Sequence, residues 1–258
     1  MNHKPTFAIV DWGIGGISIY REATRQLRGL SVLYFSDTGA TPYGKMSRDE
    51  LITRLNSVVS FLGSQGVGDV LFGCNAASTA IPFLRKNGLR VEGIIHCATD
   101  VASRARPRRL ALIGGRRTVL SGVYRRALSE RGIDLVQRIA QPLSALIESG
   151  DTSSAVVREQ CERILAPVKN CSHLLLACTH YPAIIPTLQE FLSRDTIILD
   201  PTTEIVSRIR RMSLEQRSHN AAGNGGADVF LTTGSAKNMI RSAKKAFDVE
   251  ISAGEVEI

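Results

Sequence analysis

The sequence predicts an α/β fold of two pseudo-symmetric lobes, each a parallel-rich sheet flanked by helices, with a reactive cleft between them. Three observations predict it. Short β-branched and aliphatic runs alternate with longer amphipathic segments along nearly all of the 258 residues. Turn residues bound each run, as expected of buried strands. Two strands, one in each half of the chain, end in a cysteine followed by a polar residue: Cys74-Asn75 and Cys178-Thr179.

Element by element, the strand pattern falls at residues 7–11, 31–35, 69–73, 91–95, 110–114, 174–178, 196–199 and 228–232. The helical pattern falls at residues 18–27, 48–62, 119–130, 155–165, 184–192 and 204–214, with glycines such as Gly132 closing several segments. Residues 220–227, Gly-rich and without apolar periodicity, read as a flexible loop before a last strand and helix. No repeat at solenoid spacing is present.

Composition narrows the class. Hydrophobic residues at 43% and charged residues at 22% suit a folded core and exclude disordered, collagenous and low-complexity chains. The apolar runs stop far short of the roughly 20 residues a membrane helix needs, so no membrane span is expected. Met1 to Pro5 lead straight into an apolar segment that meets Asp11, without the centre or cleavage pattern of a signal peptide, and a cytoplasmic protein is expected. The five cysteines are odd in number, with no CxxC pair and no zinc-type spacing, so reduced thiols and no metal site are expected.

In parallel α/β sheets ligands bind beyond the carboxyl ends of the strands, and here those ends are reactive. A thiol at a helix N-terminus or beside a cation ionises more readily. Cys74 precedes the helical pattern of Ala76-Ala77-Ser78-Thr79, and Cys178 precedes His180 and a helix after Pro182. A lone cysteine at a strand end is more often a small buried hydrophobe, but two at matching ends shift the balance to chemistry. Cys97, Cys161 and Cys171 lack such a setting and read as structural. Asp11, closing an apolar strand, needs a partner or serves as a proton acceptor. The glycines of Gly13-Ile14-Gly15-Gly16 allow close approach to a ligand without forming GxGxxG, and Asp37 near the end of the second strand keeps a dinucleotide site as an alternative.

The ordered set Phe7-Ala8-Ile9-Val10-Asp11, Gly13-Ile14-Gly15-Gly16, Asp37-Thr38, Pro42-Tyr43-Gly44, Cys74-Asn75, Ala77-Ser78, Thr118, Ser121-Gly122, Tyr124 and Cys178-Thr179-His180-Tyr181-Pro182 resembles the glutamate racemase family of cofactor-independent aspartate/glutamate racemases. The likeness extends to Thr232-Thr233-Gly234. It implies inversion of a free acidic amino acid, foremost glutamate for cell-wall precursors. One cysteine thiolate removes the α-proton while the other, as thiol, protonates the opposite face, and neither cofactor nor metal is required. Cys74 and Cys178 take these roles, Asp11 assists Cys74, and His180 with Glu148 assists Cys178. Substrate contacts carry over to Pro42, Tyr43, Gly44, Asn75, Thr118 and Thr179. Blander readings stand beside these: Glu148 as an exposed helix-end carboxylate, Tyr43 as a packed turn tyrosine, Thr118 as the N-cap of a helix from Val119. The resemblance places residues 1–97 plus 208–258 in the first lobe and 98–207 in the second, and adds a homodimer as the common assembly.

Trp12 stands where the family usually has Ser, Ala76 where it has Thr, and His96-Cys97 where it tends to have Glu-Pro. The first two face the substrate position, and the bulkier wall makes aspartate the alternative substrate. A decarboxylase or isomerase on the same scaffold is a rival that would keep one cysteine; a degenerate racemase acting as a binding or regulatory protein is another. The formal charge of +8 gathers at Arg104, Arg106, Arg108, Arg109, Arg116 and Arg117 and at Arg208, Arg210 and Arg211. A solvated face explains both clusters, and positive potential would steer a dicarboxylate. Contact with DNA gyrase or nucleic acid, a role reported for some racemases of this type, has no supporting binding motif here.

Overall fold

A computed structural model describes residues 5–219 and 226–258. Its strands form two sheets in which every pairing is parallel. The six-stranded sheet contains β1 (Phe7–Asp11), β2 (Val32–Ser36), β3 (Asp69–Phe72), β4 (Arg90–Gly93), β9 (Val229–Thr232) and β10 (Ala253–Glu255), in the order β10-β9-β2-β1-β3-β4. The four-stranded sheet contains β5 (Leu110–Gly114), β6 (Leu135–Ile139), β7 (His173–Ala177) and β8 (Ile197–Leu199), in the order β6-β5-β7-β8.

Both orders reverse direction around one strand, β1 in the first sheet and β5 in the second. A reversal leaves the connections on either side of that strand diverging, which opens a crevice at its carboxyl end. The residues beyond β1, β3, β5 and β7 are therefore the ones that meet. β1 and β5 are buried along their entire length, which explains the apolar runs Phe7 to Val10 and Leu110 to Gly114.

In chain order the helices are α1 (Ile17–Gln26), α2 (Arg48–Ser64), α3 (Asn75–Ser78), α4 (Ile95–Ala105), α5 (Arg116–Leu120), α6 (Val123–Ser129), α7 (Gln141–Glu148), α8 (Ala155–Leu165), α9 (Ile185–Glu190), α10 (Thr202–His219) and α11 (Ala236–Phe247). α2 starts at a capping box: the Ser47 hydroxyl accepts from the Glu50 N–H, and the Glu50 carboxylate accepts from the Ser47 N–H. This fixes the helix directly after the Pro42–Gly44 turn. α1 packs on α10, and α7 on α11. One apolar cluster runs from Phe7 and Ile9 through Ile14 and Ile17 to Ile147 and Leu176, so the two halves share a core behind the cleft. No helix among the described residues is long and apolar enough to cross a membrane.

Several expected elements differ. The helix expected over 119–130 is divided into α5 and α6 because Gly122 adopts φ +69°, and Thr118 lies inside α5, whose N-cap is Gly115. The strand expected over 91–95 gives way at Ile95 to α4, which holds His96 and Cys97 in its first turn. β6 and β10 escape the strand pattern because both are partly exposed edges, with Gln137 and Arg138 or Gly254 among their residues. Of the loop read over 220–227, residues 220–225 lie outside the described residues, as do residues 1–4 of the N-terminal segment.

Candidate active site

Asp11 is the last residue of β1 and almost fully buried. Its Oδ1 accepts the Trp12 N–H at 2.7 Å and its Oδ2 accepts the Thr179 hydroxyl at 2.7 Å. Burial raises its pKa, outweighing the opposing charge of His180 and the hydrogen bonds from Thr179, Trp12 and Cys74. Cys74 caps α3 and lies within hydrogen-bonding reach of Asp11. Its thiol pKa is pushed well up, first by burial and then by the Asp11 charge, and the Ala77 N–H does not offset them. The expected acidification of Cys74 by a helix N-terminus is thus reversed: α3 has four residues and a correspondingly small dipole.

Cys178, directly beyond β7, has a different environment. Its Sγ lies 3.6 Å from His180 Nδ1 and 3.4 Å from Ser144 Oγ. The other imidazole nitrogen, Nε2, is 2.7 Å from Glu148 Oε2, which also accepts the Ile14 N–H at 2.9 Å. Burial opposes the imidazolium, but the hydrogen bonds and charges of Cys178 and Glu148 overcome it and hold the His180 pKa well above the ordinary histidine value. Glu148 is largely buried, with its side chain 17% exposed, and is not a solvated helix end. The chain after Cys178 forms a 3-10 turn, Tyr181–Ile184, before α9 begins.

The Pro42-Tyr43-Gly44 turn brings a third side to the site. Tyr43 is buried and donates to Asp37 Oδ2 at 2.7 Å. Asp37, fully buried, also accepts from Arg54 and from the Thr233 hydroxyl at 2.8 Å. With its oxygens so occupied it is not free for a ribose, and the dinucleotide alternative loses its acidic residue. Trp12 is half-buried and its indole N–H donates to the Ala40 carbonyl at 2.9 Å.

Asp11, Trp12, Pro42, Tyr43, Gly44, Cys74, Asn75, Ala76, Thr118, Glu148, Cys178, Thr179 and His180 all line one cavity of about 420 Å³. This size suits a small-molecule ligand. Lys45, Gln141 and Ser144 line it too and were not singled out from the sequence. Gln141, Ser144 and Glu148 recur at i, i+3 and i+7 on α7, a helical signal that a short Pro- and Ser-containing segment carries faintly. Outside the cavity, Arg208 pairs with the largely buried Glu92, and the exposed Arg104 and Arg211 pair with Glu204, so part of this basic charge is taken up in ion pairs.

The family model for Asp/Glu/Hydantoin racemase matches residues 9–209. The chain is 31% identical to the glutamate racemase of Desulforudis audaxviator, over 95% of this chain and 91% of that one. It superposes on glutamate racemase isoform RacE1 from Bacillus anthracis with TM-score 0.85 at 26% identity, covering 100% of this chain and 99% of that one. Against glutamate racemase from Thermus thermophilus the TM-score is 0.84 at 27% identity, with 99% of both chains covered. The protein that these residues build belongs to the Asp/Glu/hydantoin racemase family.

Proposed function

We propose that this protein interconverts L- and D-glutamate by two-base proton transfer at Cα, with Cys74 and Cys178 as the acid–base pair. The observation that carries the reading is the cavity itself, where two thiols from the strand ends of two different sheets each meet a buried acid–base partner. His180 Nδ1 lies 3.6 Å from the Cys178 sulfur, while burial and Asp11 keep Cys74 protonated. The Cys178 thiolate takes the α-proton, the electron pair remains at Cα, and Cys74 delivers its proton to the opposite face. Substrate and product differ only in handedness, and the two sulfurs end with exchanged protonation that must reset before the next turnover. In the reverse direction the roles exchange.

With a free carbanion to stabilise, the site must contribute position, oriented donors and exclusion of water. Thr118, buried on the cavity wall, and Asn75 supply donors for carboxylate oxygens, while the hydroxyl proton of Thr179 is committed to Asp11. The match to glutamate racemases along nearly the whole chain supports glutamate. Trp12 and Ala76 favour aspartate as a second reading: a pinned indole narrows the cavity and Ala76 offers no hydroxyl. One methylene is worth about 1–3 kcal/mol of discrimination in such a pocket.

The test is α-proton exchange in D₂O, without added cofactor, for both enantiomers of glutamate and aspartate. Wild type, Cys74→Ala and Cys178→Ala are compared, with deuterium followed by NMR. Inversion of one enantiomer pair, lost in both variants, is expected. Absence of exchange with all four substrates would overturn the reading.

A further inference from the structure

We propose that Tyr124 is a positioning residue for the substrate α-carboxylate, acting through the side-chain amide of Asn75. The inference rests on the racemase reading above and adds to it a residue that does not line the cavity. Asn75 is the first residue of α3, next to Cys74, and is 4% exposed while lining the cavity. A primary amide has one acceptor oxygen and two N–H donors, and a half-turn about its last bond exchanges them. What fixes that bond determines whether the cavity is offered a donor or an acceptor.

Tyr124 fixes it. Its hydroxyl donates to Asn75 Oδ1 at 2.5 Å, and this is the one hydrogen bond of the Asn75 side chain among the described residues. Tyr124 is fully buried on α6, so it has no water to turn to. Burial, with the nearby sulfurs of Cys97 and Cys178, keeps its phenol protonated. With Oδ1 committed, both Nδ2 protons remain for a ligand, and a group that only donates binds an acceptor. Cys74 must reach Cα, so the acceptor beside Asn75 is the carboxylate one bond away from Cα. The contact also joins the halves of the molecule: α6 packs with the four-stranded sheet, and Asn75 follows β3 of the six-stranded sheet.

Tyr124→Phe keeps the ring and removes the donor. It is expected to raise KM about fivefold to tenfold, the equivalent of one hydrogen bond, with kcat within about threefold of wild type. Asn75→Ala should raise KM at least as much, and Tyr124→Phe/Asn75→Ala should match Asn75→Ala alone because the tyrosine acts only through the amide. A purely structural tyrosine would lower thermal stability without this split. An unchanged KM in Tyr124→Phe, or losses that multiply in the double variant, would overturn the proposal. Calorimetric binding of D-glutamate to Cys74→Ala and to Tyr124→Phe/Cys74→Ala repeats the test without turnover, and equal affinities would overturn it as well. Should wild type prove inactive, the proposed function fails separately. D-glutamate binding to wild type and Tyr124→Phe then decides this inference: weaker binding to the variant supports it, and equal or absent binding overturns it.

Discussion

Gly13→Ala disables His180 by displacing Glu148, without replacing any residue that lines the cavity. A Cβ on Gly13 would stand 2.1 Å from Glu148 Oε2, 2.4 Å from Cδ and 2.5 Å from Oε1. Van der Waals separation requires the carboxylate to retreat by roughly 1.4 Å. From 2.7 Å to His180 and 2.9 Å to the Ile14 N–H, such a retreat takes both bonds out of hydrogen-bonding range. A hydrogen bond to a charged group is worth about 1.5–3 kcal/mol, so kcat/KM is expected to fall about tenfold to a hundredfold. The fall must be equal from L- and D-substrate, because enantiomers have equal free energy and the equilibrium constant is fixed. Without Glu148 the imidazolium also loses one of the groups that raise its pKa, so the alkaline limb of the pH–rate profile moves to lower pH. Gly13 is not among the positive-φ glycines, so alanine brings no backbone strain, and the folded fraction should be preserved. Circular dichroism on both enantiomers across pH, with Glu148→Ala and Gly13→Ala/Glu148→Ala beside it, is the assay. Wild-type kcat/KM with an unmoved limb would refute the reasoning, and so would a Gly13→Ala loss that persists in full on the Glu148→Ala background.

His180 also links stability to pH. Its folded pKa is raised, so its contribution is fully present below the unfolded value of about 6.5 and is lost as pH rises through the folded value. Tm should decline more steeply on the alkaline side in wild type than in His180→Asn, and parallel profiles would contradict this. Trp12→Ser/Ala76→Thr should raise glutamate turnover relative to aspartate by about tenfold if those side chains set the length of the site, measured as the ratio of kcat/KM values; an unchanged ratio would count against it. Asp37→Asn removes a fully buried carboxylate bound by Arg54, Tyr43 and Thr233, and the partly exposed Arg54 places the cost at about 3 kcal/mol. A urea midpoint that stays within error of wild type would show that the cluster contributes nothing to folding.

What could be read from the sequence is what is local. Asp11, Cys74 and Cys178 stand beside the apolar runs that place them, so strand ends reveal them without knowledge of the fold. The Pro42-Tyr43-Gly44 turn stands apart from any apolar run and enters only through the family resemblance. α7 is not: eight residues with Pro142 and Ser144 give a weak period, and the helix matters because it carries Glu148 to Ile14, 134 positions away in sequence. Long-range contacts of this kind leave no periodic trace. Thiol electrostatics were legible only in part. A helix after Cys74 was readable, but its shortness and the Asp11 carboxylate beside the sulfur decide the sign, and both come from tertiary structure. Gly122 was visible as a residue, whereas the positive φ that splits α5 from α6 depends on packing.

The proposed reaction is symmetric, yet the two sulfur environments are not, and the asymmetry answers a requirement of the chemistry. Two-base inversion needs one sulfur without its proton and one with it at the moment substrate arrives. Two identical sites would spend most of their time in the doubly protonated state, which has no base. Cys74 is held as a thiol by burial and Asp11, whereas Cys178 has the imidazole of His180, whose cationic form is favoured, 3.6 Å from its sulfur. Each partner is in turn held from the opposite half of the molecule. Thr179, next to Cys178, donates to Asp11 on the Cys74 side, and Glu148, behind His180, accepts the N–H of Ile14 beyond β1. Both contacts run between residues that end or follow strands of different sheets, so loosening either one perturbs the surroundings of a sulfur in one half through a group held by the other.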